Sequence, residues 1–224
     1  MIATLFANAS EPWPLRAGVV HVWRFACRQD PGQLAAALSD DERAAARRFA
    51  TAELRDAYVV QHAMTRGLLA RYVAAEPGAL RFSRGERGKP MLDGVHHNLS
   101  HAEDVALLAV THDASVGVDV ERFAASLDLA ALIPLVLAPD EAACRDRRAF
   151  LRVWCRKEAC LKATGVGLLD DLTTVSAIAD RVVIAGTAVR VRDLAIGDAY
   201  AAALAIVGDE LASVGAVPLD EFTS

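Results

Sequence analysis

The sequence predicts an α+β protein made of two similar halves related by a pseudo-twofold axis, and three observations support this. The chain has 224 residues, 54% of them apolar, which is enough to bury a sizeable core and excludes a disordered or fibrous chain. Segments with strand and helix character succeed one another along its length. A helix-opening segment also recurs: Leu38-Ser-Asp-Asp41-Glu42-Arg-Ala44 returns 99 residues later as Leu137-Ala-Pro-Asp140-Glu141-Ala-Ala143, and Arg147 follows Arg48 at the same spacing. The halves are expected at residues 1–112 and 113–224, with a ligand cleft between them.

Gly18 to Phe25 reads as a strand. Ser39 then offers an N-cap oxygen with Glu42 three residues on, the capping-box pattern that opens a helix. Arg55 to Val73 repeats Tyr58, Val59, Met64, Leu68, Leu69 and Tyr72 at helical spacing, and Glu76-Pro77-Gly78 stops it. Ser83 to Pro90 and the polar HHNLSH segment after it are expected as a loop. Val105–Thr111 and Val116–Glu121 follow as strands, joined through His112-Asp113-Ala114 as a short hairpin. A helix from about residue 149 to 163 ends at Gly165 and Gly167, and Arg181–Arg192 and Ala199–Val207 are closing strands.

Lys plus Arg is 24 and Asp plus Glu is 29, a formal charge of −5, which excludes a general grip on nucleic acid. The charge is uneven. Ser39 to Lys89 holds 10 basic and 7 acidic residues and Arg145 to Lys162 holds 7 and 2, whereas Asp193 to Glu221 has 6 acidic residues and no Lys or Arg. Basic segments in an acidic chain point to a small anionic ligand. Cys27, Cys144, Cys155 and Cys160 show no C-x-x-C spacing, and the start MIATLFANASEPWP lacks the pattern of a secretory leader, so a cytoplasmic protein with free thiols is expected. The longest apolar run, Ala199 to Val207, is short of the ~20 residues a bilayer needs, and no membrane role is expected.

Gly117-Val118-Asp119-Val120-Glu121 alternates apolar and acidic residues, so Asp119 and Glu121 leave the strand on one face. Adjacent carboxylates repel, and a hard divalent cation relieves them; an exposed acidic face met by Arg122 is the alternative. Trp154, Glu158 and Lys162 fall at i, i+4, i+8 on one helical stripe, with Lys157 beside them. A surface ion pair would use this spacing, and so would a third metal oxygen with lysines that offset phosphate charge. Lys89 on a Gly/Pro-shaped loop, with Ser100 and His101, is a candidate phosphate contact. Arg43, Arg47, Arg48, His62 and Arg66 form either a second phosphate locus or a solvated helix face. A zinc pair His97-x-x-x-His101 lacks its acidic partner, and a Ser100/His101 hydrolase lacks a G-x-S-x-G elbow.

Read in order, the motifs R-R-F, G-K-P, N-L-S-H, G-V-D-V-E-R and W-x-x-K-E-A-x-x-K-x-x-G-x-G resemble the 4′-phosphopantetheinyl transferase superfamily, in its two-halved surfactin-type form, over Ser39 to Leu168. The resemblance implies transfer of 4′-phosphopantetheine from coenzyme A to a serine of an apo acyl or peptidyl carrier protein, with Mg²⁺ (or Mn²⁺) as cofactor and adenosine 3′,5′-bisphosphate as leaving product. It implies Asp119, Glu121 and Glu158 as metal ligands, with Glu158 also the general base. Lys157 and Lys162 match diphosphate contacts, while Lys89, Ser100 and His101 match positions near the nucleotide end. Arg48 matches the arginine before phenylalanine, and Trp154 is read as packing. On this likeness the N-terminal half makes nucleotide contacts, the C-terminal half carries the metal and catalytic residues, and the protein is a monomer.

Two departures stand out. Glu42 and Ala45 occupy positions where the best-known surfactin-type enzyme has lysines, so Arg43 or Arg47 is the expected substitute for 3′-phosphate recognition. Ala124 to Pro139 is nearly uncharged apart from Asp128 and implies an apolar grip on the carrier, beside arginines 145, 147, 148 and 152. The rival readings are a non-catalytic module that binds coenzyme A or a carrier protein, and a metal-dependent phosphodiesterase.

Overall fold

The computed structural model describes residues 12–28, 30–85, 87–124, 126–167 and 171–209, and the backbone of 213–218. The leader reading at residues 1–11, the last residue of the resemblance at Leu168 and the end of the acidic tail lie outside the described residues.

In chain order the main elements are β1 (Val19–Ala26), α1 (Asp40–Ala46), α2 (Ala52–Val73), β2 (Ser83–Arg84), β3 (Pro90–Met91), β4 (His96–Ala102) and β5 (Val105–Thr111). Then come β6 (Val116–Arg122), α3 (Leu129–Val136), α4 (Arg147–Thr164), β7 (Arg181–Ile184), β8 (Thr187–Asp193), β9 (Tyr200–Val207) and β10 (Ser213–Pro218). The fold is α+β. One four-stranded sheet has the order β10-β1-β5-β4 and the other β6-β9-β8-β7, with a two-stranded ribbon β2-β3 beside them. β10 returns to the first sheet, parallel to β1.

Alternation along the strands builds the layers. On β1, Trp23 and Phe25 join α2 residues Val59, Met64, Leu68 and Leu69 in one core. Val20 and Val22 point the other way, into a second core shared with Val116, Val118, Val120, Leu204 and Ile206. On β9, Ala201, Ala203 and Ala205 face α4 and its Phe150, Leu151, Ala159 and Cys160. The order of layers is therefore α2, first sheet, second sheet, α4.

Local chemistry sets the helix ends. Ser39 and Glu42 form the expected reciprocal capping box on α1, and Asp146 caps α4 through Arg148 and Ala149 N–H. Gly165, with φ +69°, ends α4 in the left-handed conformation that glycine adopts without strain.

Three expectations are corrected. β5 and β6 are not a hairpin: β5 pairs with β1 and β4, and β6 with β9, so Ser115 carries the chain from one sheet to the other. The HHNLSH segment is a strand, because its alternating residues pair along β5. Arg181–Arg192 is two strands, β7 and β8, turned at Ala185-Gly186, both at positive φ. All four cysteines are unpaired, and among the described residues no helix is long and apolar enough to cross a membrane.

Candidate active site

The site forms where the edges of the two sheets meet. β4 is the last strand of the first sheet and β6 the first of the second. They make no ladder with each other, so side chains take over the edge of β6. Asn98 Oδ1 accepts the Val118 N–H at 2.9 Å, and Lys89 Nζ donates to the Val116 carbonyl at 2.9 Å. Leaving such main-chain groups unpaired in the interior would cost about 1–3 kcal/mol each.

On its other face β6 meets α4 at very close range. A Cβ on Gly117 would lie 2.0 Å from the Ala159 carbonyl oxygen and 2.4 Å from Ala163 N. The hydrogen side chain of Gly117 therefore sets the strand-to-helix distance, and the next residues on that face, Asp119 and Glu121, meet Glu158 and Lys162 of α4. The sequence motif and the geometry coincide here: one acidic strand face and one helical stripe share a pocket.

That pocket has a volume of about 470 Å³ and is lined by Ser100, His101, Asp119, Glu121, Trp154, Glu158 and Lys162, among others. Its centre is an ion pair joined by a serine hydroxyl. Lys162 Nζ lies 2.6 Å from Asp119 Oδ1 and 3.0 Å from Ser100 Oγ, and Ser100 Oγ donates to Asp119 Oδ1 at 2.9 Å. Asp119 Oδ2 is buried, and among the described residues no N–H or O–H donor reaches it; the Cys155 thiol is a weak donor beside the Asp119 carboxylate. Burial raises the pKa of Glu121, the Asp119 charge raises it further, and a hydrogen bond from the Trp154 side chain partly offsets both. Glu158 is raised by burial and then by Asp119.

A second pocket of about 300 Å³ opens on the other side of Glu158 and Lys162, lined also by Arg87, Lys89, Asn98 and Gly167. Lys89 lies at its wall, and burial lowers its pKa to about 8. The two pockets share Glu158 and Lys162, which makes them one groove across α4.

Most of the candidates from the sequence converge here: Asp119, Glu121, Glu158, Lys162, Ser100 and His101 line the first pocket and Lys89 the second. Lys157 does not: where a diphosphate contact is expected, its side chain packs away from both pockets. Its side chain is 1% exposed and its Nζ lies 2.6 Å from Glu141, which is fully buried. It also donates to the carbonyls of Val136 and Leu172. Helical rotation explains the outcome, since one residue before Glu158 turns the side chain about 100° away from the pocket.

Arg48 is exposed and lines neither pocket. Arg43 is tied to Asp40 and the Leu38 carbonyl, and Arg66 and His62 to Glu42, so these three serve the helix layer. His97 is a core histidine with pKa lowered to about 4 by burial; on a strand it stands about 13 Å from His101, too far for a shared metal. Sequence reasoning missed Asn98 and Ser115, whose signal is only their place on unpaired strand edges, and it read Trp154 as packing although the indole reaches Glu121.

Whether the carboxylates suit a divalent cation is tested by Asp119. Its Oδ2 is a buried oxygen that no N–H or O–H donor among the described residues reaches, beside two carboxylates that burial and repulsion destabilise as anions. The donor set is all hard oxygen, which fits Mg²⁺ or Mn²⁺. The described residues do not hold a ready-made cluster of three acidic, His or Cys ligands, and Lys162 is the counter-charge on Asp119.

A family model for the 4′-phosphopantetheinyl transferase superfamily matches residues 115–203, which run from the start of β6 into β9 and include α4. The chain is 38% identical over 168 residues to the 4′-phosphopantetheinyl transferase HetI of Nostoc sp. (strain PCC 7120 / SAG 25.82 / UTEX 2576), a match covering 66% of this chain and 70% of that protein. It is 30% identical over 159 residues to the 4′-phosphopantetheinyl transferase psf-1 of Bacillus pumilus, covering 67% of each.

Proposed function

Because the chain belongs to the 4′-phosphopantetheinyl transferase superfamily, we propose that it transfers 4′-phosphopantetheine from coenzyme A to a serine of an apo acyl or peptidyl carrier protein, with Mg²⁺ as cofactor. The observation that carries the reading is the buried Oδ2 of Asp119, which no N–H or O–H donor among the described residues reaches, in a pocket that also holds Glu121, Glu158 and Lys162. A site with three acidic residues and a lysine suits a diphosphate brought in with a divalent cation.

Asp119, Glu121 and Glu158 would hold the cation. When bound, it supplies Lewis-acid polarisation and charge neutralisation at the diphosphate. The carrier serine oxygen forms a bond to the pantetheine-side phosphorus while the bond from that phosphorus to the bridging oxygen breaks. Glu158, which lines both pockets, accepts the serine proton. The leaving adenosine 3′,5′-bisphosphate takes the electron pair, and the Lys162 ammonium, shared by both pockets, offsets the charge that develops there. His101 at the rim is a further donor for a phosphate oxygen.

The apolar α3 and the neighbouring arginines would form the surface for an acidic carrier. Leu135 is exposed on α3, and Arg148 stacks over Phe123 with 4.3 Å between guanidinium carbon and ring centroid. We read residues 1–112 and 113–224 as pseudo-symmetric halves of a cytoplasmic monomer, with β10 crossing back to the first sheet.

The test is intact-protein mass spectrometry of apo acyl and apo peptidyl carriers incubated with this protein, coenzyme A and Mg²⁺, with an EDTA control. A metal-dependent gain of one phosphopantetheine group is expected. Coenzyme A binding without any gain across a carrier panel would move the reading to a non-catalytic binder, and release of free phosphopantetheine from a holo carrier would identify a phosphodiesterase.

A further inference from the structure

The β2-β3 ribbon, at the wall of the second pocket, sends Lys89 across to the second sheet. Its Nζ lies 2.8 Å from the Lys162 carbonyl oxygen, 2.9 Å from the Val116 carbonyl oxygen and 3.0 Å from Ser115 Oγ. An ammonium has three hydrogens to donate, so these three oxygens saturate it and leave none for a phosphate. Ser115 extends the contact by donating to the Ala163 carbonyl at 2.5 Å.

The partners explain what the contact is for. The carbonyls of Lys162 and Ala163 belong to the last turn of α4, where helix carbonyls have no partner within the helix and a cation is favourable. The Val116 carbonyl lies on the edge of β6 that no strand among the described residues covers. One side chain thus ties the end of α4 to the start of β6. Asp119 lies three residues beyond one anchor, and Lys162 is itself the other, with its own ammonium on Asp119. A slip at either anchor displaces the ion pair at the centre of the pocket.

We propose that Lys89 is a positioning residue that fixes the Asp119–Lys162 pair by clamping the end of α4 to the open edge of β6, and that it is not a phosphate ligand. This rests on the transferase reading above, and it reverses the role the sequence suggests for Lys89.

The test compares Lys89→Met and Ser115→Ala with the unaltered protein. Coenzyme A and 3′-dephospho-coenzyme A binding is measured by calorimetry, kcat and both KM values are taken on a carrier that the unaltered protein modifies, and amide hydrogen exchange is followed along residues 116–121. The expected Lys89→Met result is a kcat loss of about tenfold or more that saturating coenzyme A does not restore, with the affinities for coenzyme A and 3′-dephospho-coenzyme A changed by the same factor. Exchange should accelerate along β6 and stay unchanged along β8. Ser115→Ala, which removes no cation, should show a smaller change of the same pattern. A Lys89→Met coenzyme A affinity weakened tenfold or more, with kcat restored at saturation and β6 exchange unchanged, would overturn the proposal. If Lys89→Met does not fold, Ser115→Ala decides: unchanged kcat and unchanged β6 exchange reject the clamp. Failure of the unaltered protein to modify any carrier would count against the transferase reading, while the exchange and binding results would still judge Lys89.

Discussion

Glu42 and Glu141 stand 99 residues apart and are held in the same way. Each accepts the backbone N–H three residues before it, Ser39 N at 2.8 Å and Ala138 N at 2.7 Å. Each then meets a cation from the long helix of its layer, Arg66 Nε at 2.6 Å and Lys157 Nζ at 2.6 Å. The repeated segment in the sequence therefore encodes a repeated anchor, in which a carboxylate closes a helical turn and fastens it to a buried positive charge.

Acid sensitivity follows from the first anchor. Burial alone would raise the Glu42 pKa, but hydrogen bonds from His62, the Ser39 backbone and Arg66 outweigh it and hold the group at about 2. A folded pKa below the unfolded value means the stabilisation is complete above about pH 4.5 and disappears as pH falls toward 2. Its full size is roughly 2–3 kcal/mol. Urea denaturation of Glu42→Gln should show a lower midpoint than the unaltered protein at pH 7 and a gap that narrows through pH 4 to 3. Parallel curves over that range would remove Glu42 as the cause.

The second anchor predicts a stability defect where the motif suggests a binding defect. Lys157→Met leaves the Glu141 carboxylate buried without its counter-charge, and breaking such a pair costs about 3–5 kcal/mol. The variant should lose Tm sharply while the coenzyme A KM of its folded fraction stays within about twofold. A tenfold rise in that KM with unchanged Tm would return Lys157 to the phosphate site.

Much of this was legible in the chain, and the limits have physical causes. The capping box at Ser39, the helix stop at Gly165 and the one-sided carboxylates of Val118–Glu121 depend on neighbours within a turn or a pleat, so local spacing reveals them. Strand partners depend on distant chain: the alternation of Val105–Thr111 and Val116–Glu121 is the same whether they pair with each other or with β1, β4 and β9. Lys157 and Glu158 are neighbours in the motif, yet only the packing of α4 sends one into a buried ion pair and the other into the pocket. The roles of Asn98 and Ser115 were invisible because nothing in a single strand says that its edge will lack a partner.

Gly117 makes a sharp test of how the two acidic elements come together. A methyl group there would overlap main-chain atoms of α4, Ala159 O and Ala163 N, which cannot rotate out of the way as a side-chain tip can. Gly117→Ala must push α4 off β6, and overpacking of this kind costs about 1–3 kcal/mol or more. The separation of Asp119 from Lys162 grows at the same time. A lowered Tm together with a kcat loss of at least about tenfold is expected; wild-type values of both would show that the helix does not need this close approach.

Asp119 and Lys162 touch, but their removal should have different signatures. Asp119→Ala deletes the buried oxygen offered to a cation, so calorimetric Mg²⁺ binding in the presence of coenzyme A should fall below detection and activity should not return at high metal. Lys162→Ala leaves all three carboxylates in the pocket and takes away an ammonium that both pockets share. Its defect should be in coenzyme A affinity, roughly tenfold or more, and should ease as the coenzyme concentration rises. Mg²⁺ binding should be retained, because the cation can then take the Asp119 oxygen that Lys162 holds at 2.6 Å. If Lys162→Ala abolished Mg²⁺ binding as completely as Asp119→Ala, the lysine would be organising the carboxylates, and its assignment to the phosphate charge would be withdrawn.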